Sequence, residues 1–181
     1  MSDPVIIHPY DPSWPGRFLG LARPLRAALG DVALRIDHVG STSVPGLDAK
    51  PIIDIQISVA ELEPSEPYRT PLERLGYVFR PDNPERTKRY FREPPGQPRT
   101  HVHVRRAGSW AEQLNLLFRD YLRAHPQEAA IYAAAKHRIA EQHRADRAAY
   151  TEAKSQVIWE IIALADRWSQ ETGWQPGPSD L

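Results

Sequence analysis

The stretch DHVGSTSVPGLDAKPIIDIQISV, at Asp37–Val59, has two strand-like ends joined by a loop of small residues. In its second end, apolar and more polar side chains alternate, so Asp54 and Gln56 share one face of the predicted strand. The loop offers backbone N–H groups and hydroxyls that can approach an anion closely, from Gly40, Ser41, Thr42, Ser43 and Gly46. A phosphate-binding loop followed by an acidic strand is the arrangement that a metal-assisted phosphoryl or nucleotidyl site requires.

Periodicity and turn residues along the whole chain predict an α+β domain, a mixed sheet followed by helices. Before the central stretch we predict an edge strand at Val5–His8, a helix from about Trp14 to Gly30 and a strand at Val32–Val39. After it come a short helix near Pro71–Gly76, a strand at Tyr77–Phe79, a mobile loop at Pro81–Lys88 and an antiparallel pair of strands at Arg89–Arg92 and Thr100–Arg105. Three helices follow, which begin at Trp110, Gln127 and Asp146. Ser13 is the expected N-cap of the first helix, and Pro24 should kink or split that helix. We predict one domain at residues 1–172 and a flexible tail at 173–181.

The composition limits the classes of function. With 181 residues the chain is long enough for one substantial core. Its 23 basic and 23 acidic residues balance, so no overall field favours nucleic acid, and any anion site must be a local cluster. The absence of cysteine excludes disulfides and thiolate metal sites. Without a signal-peptide pattern or an apolar run of about 20 residues, the expected location is the cytoplasm, with no membrane partner.

Several lysines stand where a phosphate-binding group would be useful. Lys136 and Lys154 each fall inside the apolar stripe of a predicted helix, one turn after Tyr132 and Tyr150. A lysine in such a stripe either meets an anion, such as a bound phosphate, or extends its ammonium group to solvent along the apolar surface. Lys50 ends the small-residue loop and could reach a phosphate as a point charge.

The arginines and histidines leave alternatives open. Arg119 and Arg123 lie one turn apart on the polar side of their helix, where they are either solvated or line the cleft, and Asp120 could pair with one of them. His101 and His103 share one strand face and can be metal ligands, a general base or structural hydrogen-bonding groups. His38 is expected to orient the loop.

These residues carry a family resemblance. Gly40-Ser41 followed by Asp54-Ile55-Gln56 resembles the signature of the nucleotidyltransferase superfamily. HVGSTSVPGL and KPIIDI, together with THVHV at Thr100–Val104 and FRDYLRAHP at Phe118–Pro126, resemble the GrpB family within it. The Tyr132/Lys136 and Tyr150/Lys154 pairs extend the resemblance over most of the chain.

The resemblance implies a protein that binds a nucleotide or another phosphorylated small molecule with Mg²⁺ on Asp54, and that transfers a nucleotidyl group if it is catalytic. His103 would then be a further catalytic residue, and the implied substrate-binding residues are Gly40, Ser41, Thr42, Ser43, Lys50, Gln56, His101, Arg119, Lys136 and Lys154. Gln56 departs from the superfamily, which has a second carboxylate at that position, so affinity for Mg²⁺ should fall. The alternative is a catalytically inactive module that binds a ligand or a protein, like the extra domain of some dephospho-CoA kinases. The oligomeric state is left open.

Overall fold

The computed structural model describes residues 4–181, so the first three residues of the predicted domain lie outside it. In chain order it contains helix α1 (Trp14–Leu29), strands β1 (Arg35–Val39) and β2 (Ile53–Val59), helix α2 (Glu66–Arg74), strands β3 (Val78–Phe79), β4 (Lys88–Arg92) and β5 (Thr100–Arg106), and helices α3 (Trp110–Ala124), α4 (Pro126–Gln142) and α5 (Arg147–Thr172). The strands form one sheet in the order β1-β2-β5-β4-β3. Only β2 and β5 pair in parallel, and the other neighbours are antiparallel. The α+β fold class is therefore confirmed.

The alternation along β2 separates the two faces of the sheet. Ile53, Ile55 and Ile57 are fully buried in a core that includes Val102 and Val104 of β5 and the apolar sides of α1 and α2. The opposite face of β2 is turned towards α3, and a second apolar cluster joins α3, α4 and α5 to the loop between β1 and β2. The polar face of β2 thus lies beneath the C-terminal helices.

Several element boundaries differ from the sequence expectations. Helix α1 runs through Pro24 as one helix, so Pro24 does not split it, and β1 begins only at Arg35 because Gly30–Val32 forms a 3-10 turn. Helix α2 starts at Glu66, well before the predicted Pro71, which lies inside it. The predicted edge strand at Val5–His8 amounts to one isolated bridge, between His8 and Ala49. Among residues 4–181, no helix has the length and hydropathy to cross a membrane.

The C-terminal tail packs against β1, in contrast to the flexible tail expected from its Gly and Pro residues. Arg35 donates hydrogen bonds to the carbonyl oxygens of Gly177 and Pro178, and the Leu181 N–H donates to Ile36 O at 3.2 Å. The carboxylate of Asp180 accepts a hydrogen bond from the backbone N–H of His38 at 2.9 Å. The tail therefore follows the outer edge of the sheet.

This docked tail explains the position of Arg119. The side chain is buried and lies 2.7 Å from Asp120, 3.0 Å from Asp180 and 3.5 Å from Asp37. Both sequence interpretations of Arg119, as a solvated residue and as a cleft residue, are wrong, whereas the ion pair with Asp120 is confirmed. The polar side of α3 faces β1 and the tail, which the helical pattern alone cannot indicate.

Candidate functional site

A cavity of about 520 Å³ lies between the polar face of β2, the loop after β1 and helices α3, α4 and α5. It contains most of the residues predicted from sequence. Its lining includes Gly40, Ser41, Thr42, Lys50, Asp54, His101, His103, Lys136 and Lys154, together with Glu85, Lys88, Arg105, Trp110, Tyr132, Tyr150 and Trp159. Volumes of about 300–1,000 Å³ are usual for small-molecule sites.

Asp54 is held by two histidines at the floor of the cavity. The parallel register of β2 and β5 places Asp54 opposite His101 and Gln56 opposite His103. Asp54 Oδ1 lies 3.0 Å from His101 Nδ1 and 3.2 Å from His103 Nε2. Burial raises the pKa of Asp54, but the hydrogen bonds and charges of the two histidines outweigh it, so the pKa lies below its usual range. Asp54 is therefore a carboxylate, and its side chain is 25% exposed.

Gly40 brings the loop into close contact with Asp54. Its backbone has φ 71° and ψ −176°, a region that only glycine occupies readily. A Cβ atom at this position would lie 2.7 Å from Asp54 Oδ2. Glycine is therefore required here both for the backbone conformation and for the space beside the carboxylate.

The three hydroxyls of the loop have different environments. Ser43 donates a hydrogen bond to Gly40 O and does not line the cavity. Thr42 lines the cavity but donates its proton to Ile52 O, so His38 Nε2, 3.0 Å from Thr42 Oγ1, must be the donor in that second contact. Burial lowers the pKa of His38 to about 4, which agrees with a neutral ring that orients the loop. Ser41 lines the cavity, and its side chain lies beside Tyr132.

Three lysines from separate segments meet in the cavity, and aromatic rings support them. The Lys50 and Lys154 ammonium groups lie 4.9 and 5.7 Å from the centroid of Tyr150, and that of Lys136 lies 4.6 Å from the centroid of Tyr132. Lys136 is only 2% exposed and donates to the backbone oxygen of Asp48. For Lys136 the sequence alternative of an ammonium group extended to solvent is therefore wrong.

Burial of these lysines perturbs their protonation. Burial, together with the charges of Lys154 and Lys50, lowers the pKa of Lys136 to about 7, although Asp48 opposes the shift. Burial and the charge of Lys154 lower the pKa of Lys50 to about 8. Burial also lowers the pKa of Lys154. Strongly perturbed groups of this kind are concentrated at functional sites.

The cavity has a surplus of positive charge. All four lysines of the sequence line it, and so does Arg105. Its lining contains two carboxylates, Asp54 and Glu85, and Glu85 is already paired with Lys88 at 2.8 Å and with Arg105 at 2.7 Å. Lys50 and Lys154 therefore have Asp54 as their nearby acid within the cavity, whereas Lys136 lies beside Asp48, which is not part of the cavity lining.

Two tryptophans that the sequence analysis did not select form an apolar wall of the cavity. Trp110 and Trp159 stack with their ring centroids 6.3 Å apart and an interplanar angle of 23°. They are 67% and 55% exposed, so neither ring belongs to the buried core. No spacing pattern links residues on α3 and α5, and only the packing of the two helices reveals the pair.

Gln56 points away from the cavity into the contact between β2 and α3. Its Nε2 donates to Glu112 O at 3.2 Å and its Oε1 accepts from Asn115 Nδ2 at 2.8 Å. The side chain is fully buried and is not part of the cavity lining. The structure thus brings together the predicted site residues except Ser43, Gln56 and Arg119. Ser43 bonds within the loop, Gln56 lies under α3, and Arg119 lies beside the C-terminal tail.

Comparison with known proteins finds relatives along most of the chain. Residues 4–164 match the family described as GrpB protein. A UPF0157 protein of Pseudomonas aeruginosa is 44% identical over 167 residues, which cover 90% of this chain and 68% of that protein. A dephospho-CoA kinase of Mycolicibacterium paratuberculosis is 35% identical over an aligned length of 199. The alignment covers 96% of this chain and 49% of the kinase.

Solved structures agree with this assignment and extend it at the level of the fold. The crystal structure of the conserved protein GrpB from Enterococcus faecalis superposes with a TM-score of 0.81 at 34% identity, covering 90% of this chain and 99% of that chain. The Cid1 poly(U) polymerase with Mg 3′-dATP bound superposes with a TM-score of 0.55 at 13% identity, covering 81% of this chain and 49% of that chain. The expected nucleotidyltransferase-like fold is confirmed.

The contact between Gly40 and Asp54 can be tested with a matched pair of glycine variants. Gly40→Ala should destabilise the protein by about 1–3 kcal/mol through backbone strain and should also displace Asp54, because the new Cβ would meet its Oδ2. Gly46→Ala shares the positive φ, 77°, but meets no atom within 4 Å. Urea denaturation should show a loss in both variants, and only Gly40→Ala should shift the NMR signals of His101 and His103. Equal spectra for the two variants would contradict the contact.

Gln56→Asp should not create a second metal-binding acid. The shorter, charged side chain would leave Asn115 and Glu112 O unsatisfied and would bury a carboxylate under α3, so we expect a loss of at least about 2 kcal/mol in the free energy of unfolding. Gln97→Asp, in an exposed loop, is the control and should change stability by less than about 0.5 kcal/mol. Wild-type stability together with a gain in Mg²⁺ affinity, measured by calorimetry, would refute this interpretation of Gln56.

Proposed function

The chain belongs to the GrpB family and has a nucleotidyltransferase-like fold, and we propose that it binds a nucleotide or another phosphorylated small molecule in the cavity beside Asp54. The observation that carries the proposal is the convergence of Lys50, Lys136 and Lys154, all partly or fully buried, on the cavity that contains Asp54. A buried ammonium group needs a counter-charge. A di- or triphosphate supplies several negative charges within a few ångströms and would compensate all three lysines together.

The opposite wall of the cavity supports a ligand that also carries an aromatic ring. The exposed, stacked indoles of Trp110 and Trp159 offer a flat apolar surface, and bases stack on such side chains with about 1–3 kcal/mol each. The backbone around Gly40 and the hydroxyl of Ser41 lie at the charged end, where a phosphate oxygen could accept hydrogen bonds. A charged floor and an apolar wall together match the two halves of a nucleotide.

Nucleotidyl transfer with Mg²⁺, the finer expectation from sequence, has less support. Mg²⁺ prefers six oxygen ligands in octahedral geometry, whereas the groups around Asp54 are two imidazoles, and the amide of Gln56 is bonded to α3. The donors around Asp54 therefore do not fit Mg²⁺. Ligand binding without transfer is the function that the geometry favours.

A second candidate function is that of an accessory domain. Almost the whole chain aligns with about half of a dephospho-CoA kinase, which indicates that this domain also exists joined to a kinase. The cavity could then hold a phosphorylated ligand on behalf of a neighbouring protein. An accessory domain and a protein that binds the ligand on its own would use the same lysines. A screen for protein partners would therefore distinguish the two functions, whereas variants of the cavity would not.

A thermal-shift screen over nucleotides, coenzyme A precursors and inorganic triphosphate, in EDTA, should identify stabilising ligands. For the best of them, with ATP as the reference probe, Lys136→Met and Lys154→Met should each lower affinity at least about tenfold, because each removes a charge-assisted contact. Lys154→Met should not be less stable without ligand, since the substitution removes a buried charge, whereas Lys136→Met also loses the hydrogen bond to Asp48 O and should lose about 1–3 kcal/mol.

Lys88→Met is the matched control, since its ammonium group lines the same cavity but is paired with Glu85. We expect it to change the affinity less than about threefold. The proposed function fails if no phosphorylated compound binds, or if the Lys136 and Lys154 variants bind as well as the wild type.

Binding of ATP should also take up protons. At pH 8 Lys136, with a pKa of about 7, is mostly neutral in the free protein and Lys50, with a pKa of about 8, is half-protonated. A bound polyphosphate raises both pKa values, so binding should take up about one proton per chain at pH 8 and weaken as the pH rises from 7 to 9. Calorimetry in two buffers of different ionisation enthalpy measures this number. Identical binding enthalpies in both buffers would contradict the role of the lysines, and Lys136→Met should reduce the uptake.

A further inference from the structure

We propose that Asp54, His101 and His103 form a binding site for one divalent transition-metal ion of the Zn²⁺ type, open to the cavity. The three side chains each present a donor atom, and these atoms lie within 4.8 Å of one another. This inference does not depend on the proposed phosphorylated ligand, because it needs only these three groups.

The distances from the carboxylate oxygen to the two imidazole nitrogens suit a shared ion, and the two nitrogens lie within 4.8 Å of each other. The imidazole nitrogens stand 3.0 and 3.2 Å from the same carboxylate oxygen. Ligands bonded to Zn²⁺ at about 2.0–2.2 Å, with angles of about 90–110°, are themselves separated by about 3–3.5 Å. An ion placed between the carboxylate oxygen and the two imidazole nitrogens would therefore require little rearrangement of the side chains.

The chemistry of the donors selects the ion. Imidazole is a good ligand for Zn²⁺, Ni²⁺, Fe²⁺ and Cu²⁺, whereas Mg²⁺ and Ca²⁺ prefer carboxylate, carbonyl and water oxygens. With two nitrogens and one carboxylate, the set is of the kind found in zinc and non-haem iron sites. Gln56, at the position of a second acid, adds no donor because its oxygen accepts from Asn115.

The scaffold holds the two imidazoles in place. His101 and His103 lie on the central strand β5, directly beside β2, so backbone hydrogen bonds fix both strands. The ring of Tyr90, on β4, stacks on His103 at 5.3 Å and meets His101 edge-on at 5.5 Å. In the metal-free protein the ring nitrogens that face Asp54 donate to it, so each must lose its proton or pass it to the far nitrogen when an ion binds. Within residues 4–181 the far nitrogens have no hydrogen-bond partner that would oppose this change.

The site is of the open kind. Asp54, His101 and His103 all line the cavity, so the protein supplies three ligands and the remaining positions face its interior. Three protein ligands with an open position are typical of catalytic zinc centres, whereas structural centres have four. A phosphate or carboxylate oxygen of a ligand, or a water molecule, can complete the coordination.

Calorimetric titration of the chelator-treated, dialysed full chain should test the site directly. We expect one Zn²⁺ or Co²⁺ per chain, bound at least about 100-fold more tightly than Mg²⁺. The Co²⁺ complex should have visible absorption bands of a low-coordinate site with nitrogen ligands. Zinc that binds no more tightly than Mg²⁺, or a stoichiometry far from one, would overturn the proposal.

Two histidine variants separate this site from other metal-binding groups. His103→Gln should lower Zn²⁺ affinity at least tenfold and alter the Co²⁺ spectrum. His137 lies outside the cluster and contacts Asp48 at 2.9 Å. His137→Gln removes that contact and should leave the Zn²⁺ affinity and the Co²⁺ spectrum unchanged. If His103→Gln fails to fold, Asp54→Asn serves as the second variant with the same expectation. Unchanged Zn²⁺ binding in a folded variant of either residue would refute the assignment.

The outcome is independent of the proposed function. ATP binding in EDTA tests the lysines, whereas Zn²⁺ binding without ATP tests Asp54 and the histidines. Failure of the zinc titration with intact ATP binding would remove only the metal site, and the reverse result would remove only the phosphorylated ligand.

Discussion

The cost of burying three ammonium groups in one cavity is the physical constraint that shapes this site. Lys136 and Lys154 arrive on two different helices and Lys50 on the loop before β2, so docking of the C-terminal helices brings like charges together away from water. The lowered pKa values of all three are the direct consequence. Faces of tyrosine rings and one carbonyl oxygen compensate only in part. A fold that retains such a cost without structural benefit is typical of a site selected for binding.

The polar side of the sheet makes this arrangement possible. One face of β2 completes the apolar core, and the other holds Asp54, Gln56 and Ser58 under the helices. Gln56 and Ser58 are used to attach α3, through Glu112 and Asn115, whereas Asp54 is left facing the cavity. Neighbouring polar residues of one strand thus have different roles, and the role of Gln56 is to attach α3 to the sheet.

Local patterns predicted much of this site and missed what long-range packing creates. The alternation in β2, the small-residue loop and the lysines within apolar stripes were all readable from sequence, because each depends on a period of two or 3.6 residues. Arg119 was misassigned because its partners, Asp37 and Asp180, lie 82 and 61 positions away and meet it only through the docked tail. Trp110 and Trp159 were missed for the same reason. The composition contains one further signal, because the sequence has four lysines and every one of them lines the cavity.

The two proposed sites, one for an anion and one for a metal ion, lie in the same cavity, so their ligands would compensate each other's charge. A divalent cation on Asp54 would be repelled by the three lysines, and a polyphosphate beside the lysines would be repelled by an uncompensated Asp54. When both are present, the phosphate oxygens face cations on every side and the ion gains an oxygen ligand, so each should increase the affinity for the other by the same factor. In the proposed arrangement one carboxylate would suffice, because the imidazoles would supply ligands without adding negative charge that would oppose the phosphates. The ion would then be held mainly by the neutral donors of His101 and His103, in a cavity whose lysines would bind the anion.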